Sequence, residues 1–181
     1  MKKIVLLLCT MCWICNVSAQ IIRKDKGLNE LMGTWVYQKN DTVFKIQLLD
    51  KCAVAYTKEE KEFTMELWGN YYLSVKGKVI EDNLNLRTQF PNKLNIRIKK
   101  YPANLLGLRV RANEPPTIYT TTFYDKQKKH YNGYGIVAGN ISLLSPTKIH
   151  WTLNEEAALF ETGIAPIGFS VPIDVIMTKE E

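Results

Sequence analysis

Phe44-Lys45-Ile46-Gln47-Leu48 shows most clearly the pattern from which the fold class is predicted. Apolar and polar side chains alternate in it with a period of two, and successive side chains of a β-strand point to opposite faces of a sheet. The apolar side chains therefore face inward, as in an antiparallel sheet with one solvated face. The same alternation recurs at Phe63–Leu67, Leu94–Ile98, Leu108–Val110, Ile149–Leu153 and Val171–Val175. The pattern predicts an all-β protein.

Turn-forming dipeptides separate these stretches. They are Asn40-Asp41, Gly69-Asn70, Lys76-Gly77, Asp82-Asn83, Asn132-Gly133 and Gly139-Asn140. Turns at intervals of about 8–12 residues favour an antiparallel sandwich or an up-and-down barrel. A parallel sheet would need crossover helices, and the sequence predicts only short helical segments, at Leu28–Met32 and Asn154–Phe160.

The first nineteen residues have the layout of a cleavable secretory signal peptide. Lys2 and Lys3 precede an apolar run over 4–14, and a polar exit ends at the small residue Ala19. The run is shorter than the roughly 18 apolar residues of a transmembrane helix, so we expect no transmembrane segment. We expect cleavage after Ala19 and a secreted or periplasmic protein.

Cleavage there removes Cys9, Cys12 and Cys15 and leaves Cys52, so the mature chain has no intramolecular disulfide. Lipid attachment to one of the three leader cysteines is the alternative, which we favour less because a large apolar residue precedes each of them. The mature chain carries 22 basic and 18 acidic side chains, and this mild excess does not indicate nucleic-acid binding. Its length fits a single domain over 20–181.

Gly33-Thr34-Trp35, directly after a predicted helical turn, resembles the start of the lipocalin and fatty-acid-binding (calycin) barrels. It is also similar to small exported bacterial domains of unknown function with a lipocalin-like layout. The resemblance implies an up-and-down antiparallel barrel of about 8–10 strands whose floor is closed by Trp35. In that family an Arg near the last strand packs over the Trp, and this C-terminal stretch offers Lys148 and Lys179. The resemblance also implies an interior that binds a small apolar or amphipathic molecule.

The candidate ligand-binding residues are aromatic side chains suited to an apolar cavity and arginines suited to an anion: Trp35, Trp68, Tyr72, Trp151, Arg109 and Arg111. In strands, aromatic residues also serve as core or cross-strand partners. Two arginines on one strand face can bind a carboxylate or phosphate in bidentate fashion.

An alternative interpretation is an interaction or structural module of the cell envelope. Arg97, Lys99, Arg109 and Arg111 would then form a basic strand face for anionic lipid or polysaccharide. Charges on a sheet also protect it against association with other sheets, which needs no partner.

No catalytic or metal-binding motif stands out. The chain has two histidines, His130 and His150, and no Gly-x-Ser-x-Gly motif. His150 alternates with apolar neighbours and is expected to face solvent, and Cys52 lies in an apolar run, where a buried thiol is expected. We therefore expect a non-enzymatic protein without metal or cofactor. An enzyme with dispersed carboxylates such as Glu155 and Glu156 is the remaining alternative.

Overall fold

The computed structural model describes residues 21–22, 27–55, 62–84, 93–95, 107–112, 118–129, 135–154 and 168–181. Its elements are β1 Ile21–Ile22, α1 Leu28–Leu31, β2 Gly33–Lys39, β3 Thr42–Ala55, β4 Glu62–Val75, β5 Lys78–Asp82, β6 Lys93–Asn95, β7 Leu108–Ala112, β8 Ile118–Phe123, β9 Ile136–Ser145, β10 Lys148–Leu153 and β11 Asp174–Lys179. The predicted signal peptide, the Asn132-Gly133 turn, Arg97 and Lys99, and the predicted helix beyond Asn154 lie outside the described residues.

Eight strands close an antiparallel barrel in the order β2, β3, β4, β7, β8, β9, β10, β11 and back to β2. Each strand pairs with the barrel strands that precede and follow it along the chain, which is the up-and-down topology. β5 lies along β4, while β1 and β6 make short parallel pairings with β4 and β3. The predicted all-β, up-and-down barrel is confirmed.

Two of the predicted turns connect neighbouring strands as expected. Asn40-Asp41 joins β2 to β3, and Asn40 has a φ of 52°. Lys76-Gly77 joins β4 to β5, with φ of 52° and 72° at its two residues. Lys76-Gly77 thus has the positive φ at both central residues that a type I′ turn requires, whereas Asn40-Asp41 has a positive φ only at its first residue.

The turns predicted at Gly69-Asn70 and Gly139-Asn140 are wrong, because both pairs lie within strands, β4 and β9. A Cβ atom on Gly69 would lie 1.8 Å from the backbone oxygen of Gln47, and one on Gly139 would lie 2.5 Å from that of Thr152. Glycine in a strand often marks a bulge or a close approach of another backbone. These two glycines mark such approaches, and beside Gly69 the β3–β4 register shifts after Leu48.

The helix α1 closes one end of the barrel, which we call the floor. Leu28 and Leu31 are fully buried, and the indole N–H of Trp35 donates to the carbonyl of Leu31 at 2.8 Å. Lys179 lies over the Trp35 ring, with Nζ 5.1 Å from its centroid, and donates to the carbonyl of Glu30 at 3.2 Å. Of the two lysines offered by the C-terminal stretch, Lys179 thus stands over the tryptophan.

Candidate functional site

The barrel interior is filled by one cluster of buried apolar side chains to which all eight barrel strands contribute. Trp35 lies at the floor and Trp151 toward the opposite end, which we call the mouth. Of the three candidate tryptophans, Trp35 and Trp151 therefore lie inside the barrel, and both are fully buried.

Near the mouth the interior is mostly aromatic. Phe44, Tyr71, Phe123 and Trp151 form a closed circuit of ring contacts around the inside of the barrel. The centroid distances are 6.4 Å for Phe44–Tyr71, 4.9 Å for Tyr71–Phe123, 5.5 Å for Phe123–Trp151 and 5.7 Å for Trp151–Phe44. Phe169 adds a fifth ring, 6.1 Å from Phe123. We call these five residues the aromatic cluster.

Phe169 belongs to residues 168–173, a segment without regular structure before β11 that we call the strap. The strap reaches from β11 to the end of β8, where Phe169 packs on Phe123. Between these points the carbonyl of Pro172 accepts the indole N–H of Trp151 at 3.0 Å. The strap therefore contacts two rings of the aromatic cluster from the mouth of the barrel.

A buried carboxylate fastens the strap to the β8 end. Asp125 is fully buried, and its two carboxylate oxygens accept the Ser170 hydroxyl at 2.8 and 2.7 Å. The backbone N–H groups of Ser170 and Gln127 also donate to this carboxylate. These donors compensate the burial of the charge, which without partners would be costly.

Tyr71 joins the aromatic cluster to the same turn. Its hydroxyl accepts the backbone N–H of Lys126 at 3.0 Å. Burial, together with the nearby Asp125 carboxylate, raises the pKa of Tyr71 far above its ordinary value, so the phenol stays neutral.

Thr121 differs from Asp125 and Tyr71 in its hydrogen bonding. It is fully buried on the inward row of β8, between Tyr119 and Phe123. Among the described residues, its hydroxyl is the one buried side-chain nitrogen or oxygen atom without a hydrogen-bond partner. Its neighbours across the strands are Val110 and Gly139.

The arginines and two of the aromatic candidates lie elsewhere. Trp68 is fully buried, but it lies on the face of β4 opposite to the inward-facing Leu67 and Tyr71. Its indole N–H donates to the Glu66 carboxylate at 3.1 Å, and Arg109 lies 3.5 Å from the same oxygen. The structure thus separates Trp68 from the interior site.

Tyr72 and Arg111 also occupy outward positions. Tyr72 is half-buried and pairs with Lys45 and Asp82 on the neighbouring strands. Arg111 is exposed, two positions along β7 from Arg109, so the predicted shared face of the two arginines is present. The six candidate residues therefore do not form one site, because they divide between the interior and the outer face.

Cys52 and His150 lie on different strands of the described barrel, β3 and β10. Cys52 is buried, and burial together with the Glu66 charge raises the pKa of its thiol to about 12, so it is a neutral apolar group. His150 faces outward as predicted, and its Nε2 lies 2.6 Å from Asp174 Oδ1. Among the described residues, no three His, Cys, Asp or Glu side chains are grouped as a metal site would need. In the same ranges, no helix has the length and hydrophobicity needed to span a bilayer.

Sequence reasoning missed Thr121, the Asp125–Ser170 contact and the role of Phe169. Tyr119, Thr121 and Phe123 do alternate with period two, but threonines on both faces of β8 weaken the contrast between its inward and outward rows. Asp125 and Ser170 are 45 residues apart, and no local pattern indicates that they meet.

Comparison with protein families shows that the model of the Family of unknown function (DUF6705) matches residues 1–180. The curated proteins and the solved structures contain no match to the chain.

Proposed function

We propose that this chain, a member of the family of unknown function DUF6705, is an exported, non-enzymatic protein that binds a small apolar or amphipathic molecule inside its barrel. The aromatic cluster beneath the mouth is the observation that carries the proposal. Barrel mouths are common ligand sites, and an eight-stranded barrel holds either its own side chains or one small ligand.

Phe169 is the ring of this cluster that can be withdrawn most easily. The other four rings stand on barrel strands, whereas Phe169 stands on the strap, so its displacement breaks no strand pairing. A flat apolar molecule that takes its place would contact Phe123 in the same way. Such a ring contact is worth about 0.5–1.5 kcal/mol beyond the burial of area.

The experiment is a titration of the protein with N-phenyl-1-naphthylamine, a neutral apolar probe that fluoresces when it leaves water. We expect saturable binding to the wild type and tighter binding to Phe169→Ala, by about 2- to 10-fold, because the protein's own ring no longer competes. Ile173→Ala is the matched control, because Ile173 is an exposed apolar residue of the same strap. We expect it to bind like the wild type.

Two results would contradict the proposal. One is the absence of saturable binding to the wild type and to Phe169→Ala. The other is binding that weakens steeply with salt and is lost in Arg111→Glu, which would favour the basic outer face and an anionic envelope surface instead.

A further inference from the structure

Among the described residues, the hydroxyl of Thr121 is the one buried side-chain nitrogen or oxygen atom without a hydrogen-bond partner. Four other polar side chains of the interior each have a protein partner. Trp35 and Trp151 donate to the carbonyls of Leu31 and Pro172, the Tyr119 hydroxyl donates to the carbonyl of Gly27 at 3.4 Å, and the Tyr71 hydroxyl accepts the backbone N–H of Lys126. Because buried hydroxyls are nearly always hydrogen-bonded, the exception needs an explanation.

Packing and backbone structure do not explain a threonine at this position. Valine has nearly the same shape and the same preference for strands, and it would place no polar atom among apolar neighbours. The feature that distinguishes Thr121 from valine is its hydroxyl. A hydrogen-bond partner supplied by a bound molecule would account for it.

Thr121 also lies at a depth in the barrel that a ligand bound against Phe123 could reach. It is two residues from Phe123 on the same inward row of β8, which places it roughly 7 Å further into the barrel. A molecule that enters under the strap and contacts Phe123 would reach Thr121 with an extension of one further ring. The strand position opposite Thr121 is Gly139, and the space beside that glycine is filled by Leu153, whose Cδ2 lies 2.6 Å from the ideal Cβ position. Leu153 would have to change rotamer to admit the ligand.

The charge distribution restricts the chemistry of that ligand. The interior cluster of the described residues is made of apolar side chains and tyrosines, so an ionised group beside Thr121 would have no counter-charge. At the mouth, Asp125 is a carboxylate, and it already accepts hydrogen bonds from Ser170 and Gln127. An anion would be desolvated without compensation at depth and repelled at the entrance.

We infer that the ligand of the proposed site is an uncharged molecule with an apolar, ring-sized body and one hydroxyl or carbonyl group, which hydrogen-bonds to Thr121 Oγ1. The inference rests on the proposed function and names the chemical class of its ligand. The body occupies the place of Phe169 against Phe123, and the polar group points toward the floor.

The test compares three ligands of the same size, naphthalene, 2-naphthol and 2-naphthoate, as competitors of N-phenyl-1-naphthylamine on the full chain. The proteins are the wild type, Thr121→Val and the matched control Thr178→Val, which makes the same change at an exposed outer position of β11. The quantity measured is the affinity ratio of naphthol to naphthalene in each protein. The two free ligands differ in their hydration, but this difference is the same for every protein. It therefore cancels when the ratio is compared between proteins.

We expect the ratio to fall by about 5- to 10-fold in Thr121→Val and to stay unchanged in Thr178→Val, with naphthalene bound equally by all three proteins. We expect naphthoate to bind at least about 10-fold more weakly than naphthalene. Near-ultraviolet circular dichroism of each variant shows that the fold is kept.

The possible failures are distinguishable. If naphthalene and naphthol bind with the same ratio in the wild type and Thr121→Val, the role of Thr121 is overturned while the proposed function stands. If naphthoate binds most tightly, the neutral ligand class is overturned. If no probe or ligand binds the wild type, the proposed function fails and this inference fails with it.

Discussion

Replacement of Lys179 by methionine tests the floor of the barrel. The lysine makes a cation–π contact with Trp35, worth about 0.5–1 kcal/mol at an exposed site and about 2 kcal/mol when desolvated. It also donates to the carbonyl of Glu30, and a hydrogen bond with a charged donor contributes about 1.5–3 kcal/mol. Methionine keeps the apolar stem, and Lys179 is only half-buried, so we expect the free energy of unfolding to fall by about 1.5–3 kcal/mol.

For a chain of this length, each kcal/mol shifts Tm by about 2–4 °C, so Lys179→Met should lower Tm by roughly 3–12 °C. Lys148→Met is the control, because Lys148 is exposed and the change should stay within about 0.5 kcal/mol. Urea unfolding followed by tryptophan fluorescence measures both variants. If the free energy of unfolding falls by the same small amount in the two variants, Lys179 does not stabilise the floor.

Other substitutions test the glycines, the thiol and the buried hydroxyl. Gly69→Ala should destabilise the fold by more than about 3 kcal/mol, because the new Cβ would lie 1.8 Å from the backbone oxygen of Gln47. If urea unfolding shows almost the same free energy of unfolding as the wild type, β3 can move away from the new Cβ. Cys52, with its pKa raised to about 12, should react with a disulfide reagent at pH 8 only after unfolding, and rapid labelling of the native protein would contradict its burial. Thr121→Val should raise the stability of the ligand-free protein by about 1–3 kcal/mol, whereas a loss of stability would show that the hydroxyl has a partner already.

The alternation of apolar residues predicted an all-β protein, and the resemblance at Gly33-Thr34-Trp35 implied the barrel. At Val171–Val175 the alternation was wrong, because the strap continues to Ile173 and β11 begins at Asp174. Phe44–Leu48 and Ile149–Leu153 lie where the pattern placed them, because one face of each strand meets the interior and the other meets water. The turn-forming dipeptides gave wrong predictions at Gly69 and Gly139. A local pattern cannot distinguish a glycine that makes a turn from one that admits a neighbouring backbone, since the difference depends on the partner strand.

The site was harder to predict than the fold. Trp68 and Tyr71 are three residues apart in β4, and strand alternation places them on opposite faces, so only the register shows which one lines the interior. The strap depends on Asp125 and Ser170, which meet across 45 residues of sequence. Thr121 differs from the other buried polar side chains of the described residues in that its hydroxyl has no hydrogen-bond partner, and this property depends on the packing of the whole interior.

We propose that a small neutral molecule binds beneath the mouth of the barrel. Each of three tryptophans lies in a different part of the barrel: Trp35 at the floor, Trp68 on the outer face and Trp151 at the mouth. The indole N–H of each gives its own signal in a ¹H–¹⁵N correlation spectrum. We predict that titration with 2-naphthol shifts the Trp151 signal in a saturable manner, because the ligand displaces the strap that accepts its hydrogen bond, while the Trp68 signal stays in place. A shift confined to Trp68, or no saturable shift at Trp151, would contradict the claim.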